Sequence, residues 1–247
     1  MIKRQISLLI CLLLSLLTLS AQRYNVGEVP NLVNSDNKSY HFGFILGLNT
    51  LDFNPYQSGE ILEDGKIWYG EDINFEVGFS IGIISDLRLA EHLDMRFCPV
   101  LYFGERTLRF VDKDGNERDG GDVSVKSNLI SLPLLFKIRG QRARNVRPYF
   151  LGGFAGTIAV GRDKEAPIML KTTDYGPEIG FGFDIYLPYF KLCPEFKAFF
   201  GLSDVINRDR PDIANVEDLK FSGGESGGKG VFSKLTSRIF AISFNFE

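Results

Sequence analysis

The chain has 247 residues, 28 Lys and Arg against 31 Asp and Glu, 22 Phe, 26 Gly and one Trp, with 44% hydrophobic residues. A formal charge of -3 excludes a nucleic-acid binder held by a basic surface. Two histidines and three cysteines exclude a zinc cluster of the usual four-ligand kind, and no cofactor is implied. Abundant Phe and Gly point to strands rather than helices.

The chain opens with a short positive stretch, Lys3-Arg4, then an apolar run from Ile6 to Leu17, then Leu19-Ser20-Ala21. Charge, apolar core and small residues in that order predict a secretory signal peptide over residues 1–21. The run is shorter than the roughly 20 residues a spanning helix needs. Cys11 lies inside the run, so it does not read as a lipid-anchored cysteine. Residues 22–39 are expected to be a periplasmic N-terminal segment and 40–247 a barrel in the outer membrane. After Gln22 no stretch of about 18 uncharged apolar residues occurs, so a membrane form must be a closed barrel.

Eight segments alternate with period two. In 40–49 the apolar face is Tyr40, Phe42, Phe44, Leu46 and Leu48; in 73–85 it is Ile73, Phe75, Val77, Phe79, Ile81 and Ile83. Segment 93–103 sets Leu93, Met95, Phe97 and Leu101 against Asp94, Arg96 and Cys98, and 128–139 carries Ile130, Leu132, Leu134, Phe136 and Ile138. Segment 147–161 is the least distinct, with Phe150 and Phe154. In 175–187 Ile179, Phe181 and Phe183 alternate with Glu178, Gly180, Gly182 and Asp184. In 190–202 Phe190, Leu192, Phe196 and Phe200 alternate with Lys191, Glu195 and Lys197, and 239–246 ends on Phe240, Ile242, Phe244 and Phe246.

Connections alternate long and short: 50–72, 86–92, 104–127, 140–146, 162–174, 188–189 and 203–234. Long extracellular loops and short periplasmic turns have this rhythm in up-and-down outer-membrane barrels. The reading is therefore an all-β, eight-stranded antiparallel transmembrane β-barrel with both ends in the periplasm. A soluble barrel of lipocalin type, apolar face inward, is the competitor. Glycine decides against it: Gly43, Gly47, Gly78, Gly82, Gly180 and Gly182 lie on the polar face, where they make room inside a narrow barrel but would only weaken a wet surface. The charges Glu76, Asp94, Arg96, Glu178, Asp184, Lys191, Glu195 and Lys197 on that face are then expected to form a lumen network. Four in-strand prolines, Pro99, Pro133, Pro177 and Pro194, are expected at bulges or rims, because proline cannot donate to a ladder.

The His41-Phe-Gly-Phe-Ile-Leu-Gly-Leu-Asn49 segment, the Ile130-Ser-Leu-Pro-Leu-Leu-Phe136 segment and the Phe244-Asn-Phe246 ending, with the signal peptide, resemble the PorT family of small outer-membrane barrels of Bacteroidetes. The resemblance covers essentially the whole mature chain and implies a non-enzymatic role in type IX protein secretion and, in gliding relatives, motility. It offers no catalytic motif. The partners expected are outer-membrane lipid and other secretion-system proteins, with no nucleic acid and no nucleotide. A general surface, adhesion or envelope-integrity barrel of porin-like kind is the alternative, and a lipid- or protein-modifying enzyme a third reading.

Other motifs read as structure. Gly223-Gly-Glu-Ser-Gly-Gly-Lys229-Gly230 imitates a phosphate-binding loop but lacks the Ser or Thr after its lysine, so it reads as a loop tip. Asp112, Asp114, Asn116, Glu117, Asp119 and Asp122 offer oxygen ligands without EF-hand spacing; Asp114-Gly115 reads better as the turn of an extended hairpin. His41 and His92 lack an evident Ser or Asp partner. Cys98 and Cys193 fall on strands opposite each other, too far apart for the roughly 4.4–6.8 Å of a disulfide, so two free buried thiols are expected. Arg139, Arg142, Arg144 and Arg147, with Lys137, crowd one short turn, which reads first as a merely solvated turn and second as a docking point for an acidic partner or lipid headgroups.

Overall fold

Among the described residues twelve strands run between Tyr40 and Phe246: β1 (Tyr40–Gln57), β2 (Trp68–Asp72), β3 (Val77–Ala90), β4 (Leu93–Phe97), β5 (Val100–Phe103), β6 (Glu105–Asp112), β7 (Val123–Lys126), β8 (Asn128–Arg139), β9 (Val146–Val160), β10 (Thr173–Tyr186), β11 (Lys191–Phe200) and β12 (Phe232–Phe246). The computed structural model describes residues 31–33, 35, 38–61, 65–72, 76–117, 121–160, 170–207 and 230–247. The predicted signal peptide, most of the segment before Tyr40, Asp119 and the glycine-rich stretch up to Lys229 lie outside these residues.

The large sheet runs β1-β12-β11-β10-β9-β8-β4-β3-β5 and is closed by β1–β3 and β8–β5 pairing. Since β4 and β5 are two halves of one strand, the ring has eight antiparallel strands, as the alternation predicts. Three short turns, 91–92, 140–145 and 187–190, gather with Tyr40 and Glu247 at one end, and the four long connections at the other.

Side-chain alternation has the predicted hand. Phe42, Leu48, Ile83, Phe154 and Ile179 are exposed on the outside, with Phe154 at 65%. Ile45, Asp86, Arg96, Lys137, Glu195 and Asn245 are buried inside. Such inverted polarity is stable only when hydrocarbon surrounds the wall. Outward aromatic rings meet across strands, as in Phe44–Phe246 at 4.7 Å and Phe79–Phe103 at 4.6 Å. Inside, small residues make room for large ones: a Cβ on Gly182 would stand 2.5 Å from the Tyr149 hydroxyl.

The prolines are not at bulges. Pro99 parts β4 from β5, yet the register on both neighbours is unchanged across the gap, from Ser85↔Phe97 to Gly82↔Val100 and from Phe97↔Leu134 to Val100↔Ser131. Pro133 and Pro177 sit in continuous ladders opposite Ala155 and Phe154. The β10–β11 ladder lapses opposite Cys193-Pro194 and resumes in the same register. At Pro99 and Pro133 the carbonyl still accepts, from Ile83 N at 3.1 Å and Cys98 N at 3.4 Å, so the missing N–H is what those two prolines cost the ladder.

The connection between β5 and β8 is the extended hairpin that Asp114-Gly115 predicts: β6 and β7 continue β5 and β8 in the same register, through Glu105↔Lys126 and Leu108↔Val123. Its turn is at Asp114-Gly115, with Gly115 at φ 83°. β2 pairs along the free edge of β6. The outer edge of β2 is covered by the Gln57 side-chain amide, which donates to Gly70 O at 2.6 Å and accepts from Gly70 N at 3.1 Å, as a further strand would.

A charged lumen beneath an apolar mouth

Arg96 stands inside the barrel on β4 with no solvent access. Its register partner Asp86 on β3 takes two hydrogen bonds, from Nε and Nη2, both at 2.7 Å. Nη1 reaches across the lumen to Glu195 Oε2 at 2.8 Å, and Nη2 also donates to Glu247 Oε1 at 2.7 Å. One planar guanidinium thus joins three carboxylates from three parts of the wall, a task for which its rigid fork of donors is suited.

The neighbours extend this hub. Tyr149 Oη donates to Glu195 Oε2 at 2.7 Å, and Lys137 lies 4.1 Å over the Tyr149 ring while donating to Asp184 Oδ1 at 2.9 Å. Lys191 pairs with Glu247. Lys197 lies 3.6 Å from Glu178 and 3.8 Å from Glu195. Nearer the short-turn end Arg139 meets Asp94 at 2.9 Å. Cys98 and Cys193 are free and fully buried, and Cys193 Sγ lies 3.2 Å from Asp184 Oδ1.

Of the eight predicted lumen charges, seven face this interior. Glu76 does not: it lies at the other end and accepts from Thr107 Oγ1 at 2.8 Å. The predicted basic turn also comes apart. Arg139, like Lys137, belongs to the inward face of β8 and is spent on the lumen. Arg142 stacks 3.6 Å over Tyr186 and donates to the carbonyls of Arg144 and Asn31. Arg147 is half-buried 5.9 Å from the same ring. Only Arg144, at φ 56°, is left exposed on the turn. The alternation of 128–139 already placed positions 137 and 139 inward, so that signal was present. Asp86 and Glu247 were missed because each lies one residue beyond a predicted strand.

Above the charged layer the lining turns apolar. Phe53, Trp68, Leu108, Phe110, Val123, Val125, Leu170, Val205, Ile206, Val231, Phe232 and Leu235 form one buried cluster. They come from the upper ends of β1 and β12, from β2, β6 and β7, and from two connections, so the cluster packs together at the end of the long connections. Gly70 is required there: a Cβ would stand 2.1 Å from Phe232 Cζ. At the boundary Arg106 donates to Ser237 Oγ at 2.9 Å and stacks 4.3 Å over Phe53.

The acidic hairpin and the histidines are engaged structurally. Asp112 accepts from Lys66 Nζ at 2.9 Å, Asp114 N at 2.5 Å and Asn116 Nδ2 at 3.2 Å; the Lys66 bond in particular holds its carboxyl down to about 2. Asp122 is lowered by its hydrogen bonds from Arg109. His41 Nε2 meets Ser35 O at 2.8 Å, and the His92 carbonyl accepts from Arg139 N at 2.9 Å.

Residues 30–207 match the family described as outer membrane protein beta-barrel domain. Among solved structures the chain is similar to the outer membrane protein OprG from Pseudomonas aeruginosa, at 14% identity over 83% of this chain and 94% of that one, TM-score 0.46. It is similar to Neisserial surface protein A at 12% identity, 84% and 98% coverage and TM-score 0.41. The attachment invasion locus protein Ail of Yersinia pestis, in complex with the heparin analogue sucrose octasulfate, stands at 8%, 85% and 99%, and 0.35. No protein of curated function matches. With a family match over more than half its length and an inside-out wall, the chain belongs to the outer membrane protein beta-barrel domain family and resides in the outer membrane.

Proposed function

We propose that this protein is a non-enzymatic, non-conducting surface barrel that serves envelope integrity or adhesion, the barrel being the anchor and the hairpin of β6 and β7 the working part. The observation that carries the reading is the filling of the interior: Arg96, Lys137, Tyr149, Cys98 and Cys193 are each at most 1% exposed, and an apolar cluster packs above them. An eight-stranded lumen is just wide enough for side chains to fill, so it passes neither protein nor solute. Short turns face the periplasm in such barrels, which orients the hairpin outward. Residues 1–21 are removed on export in this reading, and 22–39 stay in the periplasm.

A second reading, a component of type IX secretion, rests on the PorT resemblance and on Arg144 as the remaining exposed base of its turn. An outer-membrane enzyme is favoured least, since the Nε2 of His41 is engaged by a backbone carbonyl.

Two experiments separate the readings. In planar bilayers the purified barrel gives no steady conductance; an open channel in the unmodified protein contradicts closure. A deletion strain should show a leaky or poorly adherent envelope with its secreted proteins unchanged. Loss of secreted proteins with an intact envelope would replace the first reading by the second.

A further inference from the structure

Lys197, Glu178 and Glu195 are each at least nine-tenths buried inside the barrel. Glu195 and Lys197 share the inward face of β11, and Glu178 lies on the adjacent β10. Gly180, opposite Lys197 in the ladder, leaves the space its side chain occupies: a Cβ there would stand 3.0 Å from Lys197 Cγ. Three atoms of this group, Lys197 Nζ, Glu178 Oε1 and Glu195 Oε1, have no hydrogen-bond partner in the protein. The ammonium stops 3.6 Å from Glu178 and 3.8 Å from Glu195. Those separations are too long for direct hydrogen bonds, and polar contacts of that length are commonly bridged. The three groups are ion-paired, yet each keeps one buried polar atom without a hydrogen bond, which is costly unless something else answers it.

We infer that Lys197, Glu178 and Glu195 form a binding site for one water molecule within the lumen. The valences match. An ammonium has only donors and an ionised carboxylate only acceptors. A water accepts from Lys197 and donates once to each glutamate, satisfying all three atoms together. A metal cation at the same point would face the ammonium, and a halide would face two carboxylates. The Arg96 side of the lumen closes by direct contacts at 2.7–2.8 Å, so the two halves of one network are joined differently, one dry and one hydrated.

The test is a crystal structure of the full barrel purified from membranes, at a resolution that shows ordered water. Parallel crystals are soaked in rubidium and in bromide. The expected result is a water peak within hydrogen-bond reach of all three atoms, with no anomalous signal there. A direct ion pair between Lys197 and either glutamate without a peak overturns the inference. So does an anomalous rubidium or bromide peak at the site.

Discussion

Arg96 and Leu108 project from the same face of one hairpin limb, and both are completely buried, one as a guanidinium and the other as an alkyl group. No bulge lies between them, since the register of the limb against β7 and β8 is constant from Leu93 to Leu108. The side chains therefore keep their alternation while the chemistry of the two faces trades places near Gly104. Below that level apolar groups face out and charges face in. Above it Glu105, Arg109, Ser124 and Lys126 face out and Leu108, Phe110, Val123 and Val125 face in. The solvent of the outer face changes from acyl chain to water, and the faces follow it.

Arg96→Ala should cost about 3–5 kcal/mol, because it strands the Asp86, Glu195 and Glu247 carboxylates in the lumen without their shared cation. Urea unfolding in lipid vesicles reads the loss. A cost under about 1 kcal/mol would mean that water, not Arg96, compensates those carboxylates.

Phe110→Ala should weaken the mouth by about 3–5 kcal/mol while the barrel still inserts and migrates as folded. The loss is local, so it shows as protease cleavage in the outer hairpin. Equal destabilisation of the whole barrel would show that the mouth cluster and the lumen are one cooperative unit.

Acid should loosen the turn after β6 in a defined window. Hydrogen bonds led by Lys66 hold the Asp112 carboxyl at about 2, below its ordinary value of about 3.9. A depressed folded value gives stability that is present above about pH 4 and lost as pH falls towards 2. Hydrogen exchange at Gly115, whose amide bonds Asp112 O, should accelerate across that window. Asp112→Asn should remove the acceleration; its persistence in that variant would assign it elsewhere.

The two lumen cysteines give a stringent check of register. Folded protein should take up no alkylating reagent, and denatured protein should take up two equivalents at Cys98 and Cys193 without any reductant. A requirement for reductant would place the two thiols in contact across the barrel.

The membrane strands were legible because lipid on one side and a narrow lumen on the other force strict alternation, as in Leu132 to Ile138 or Phe240 to Phe246. Strands outside the hydrocarbon were not: in β6 the inward face mixes Arg106 with Leu108 and Phe110, and the outward face mixes Val111 with Arg109. Strand ends also hid site residues. Lys137 and Arg139 read as a basic turn by composition, although their phase put them inside. Which charges meet across the lumen, such as Arg96 with Glu195, depends on how the eight strands are staggered on closure, and no local pattern records that.

The inside-out wall beneath a water-facing hairpin is tested most directly by tryptophan quenching in vesicles of acyl-brominated lipid. Trp68, the one native tryptophan, lies in the mouth cluster and should keep its fluorescence. A tryptophan placed by Phe154→Trp in a Trp68→Phe background should be strongly quenched. Quenching of Trp68, or an unquenched Phe154→Trp, would contradict the account.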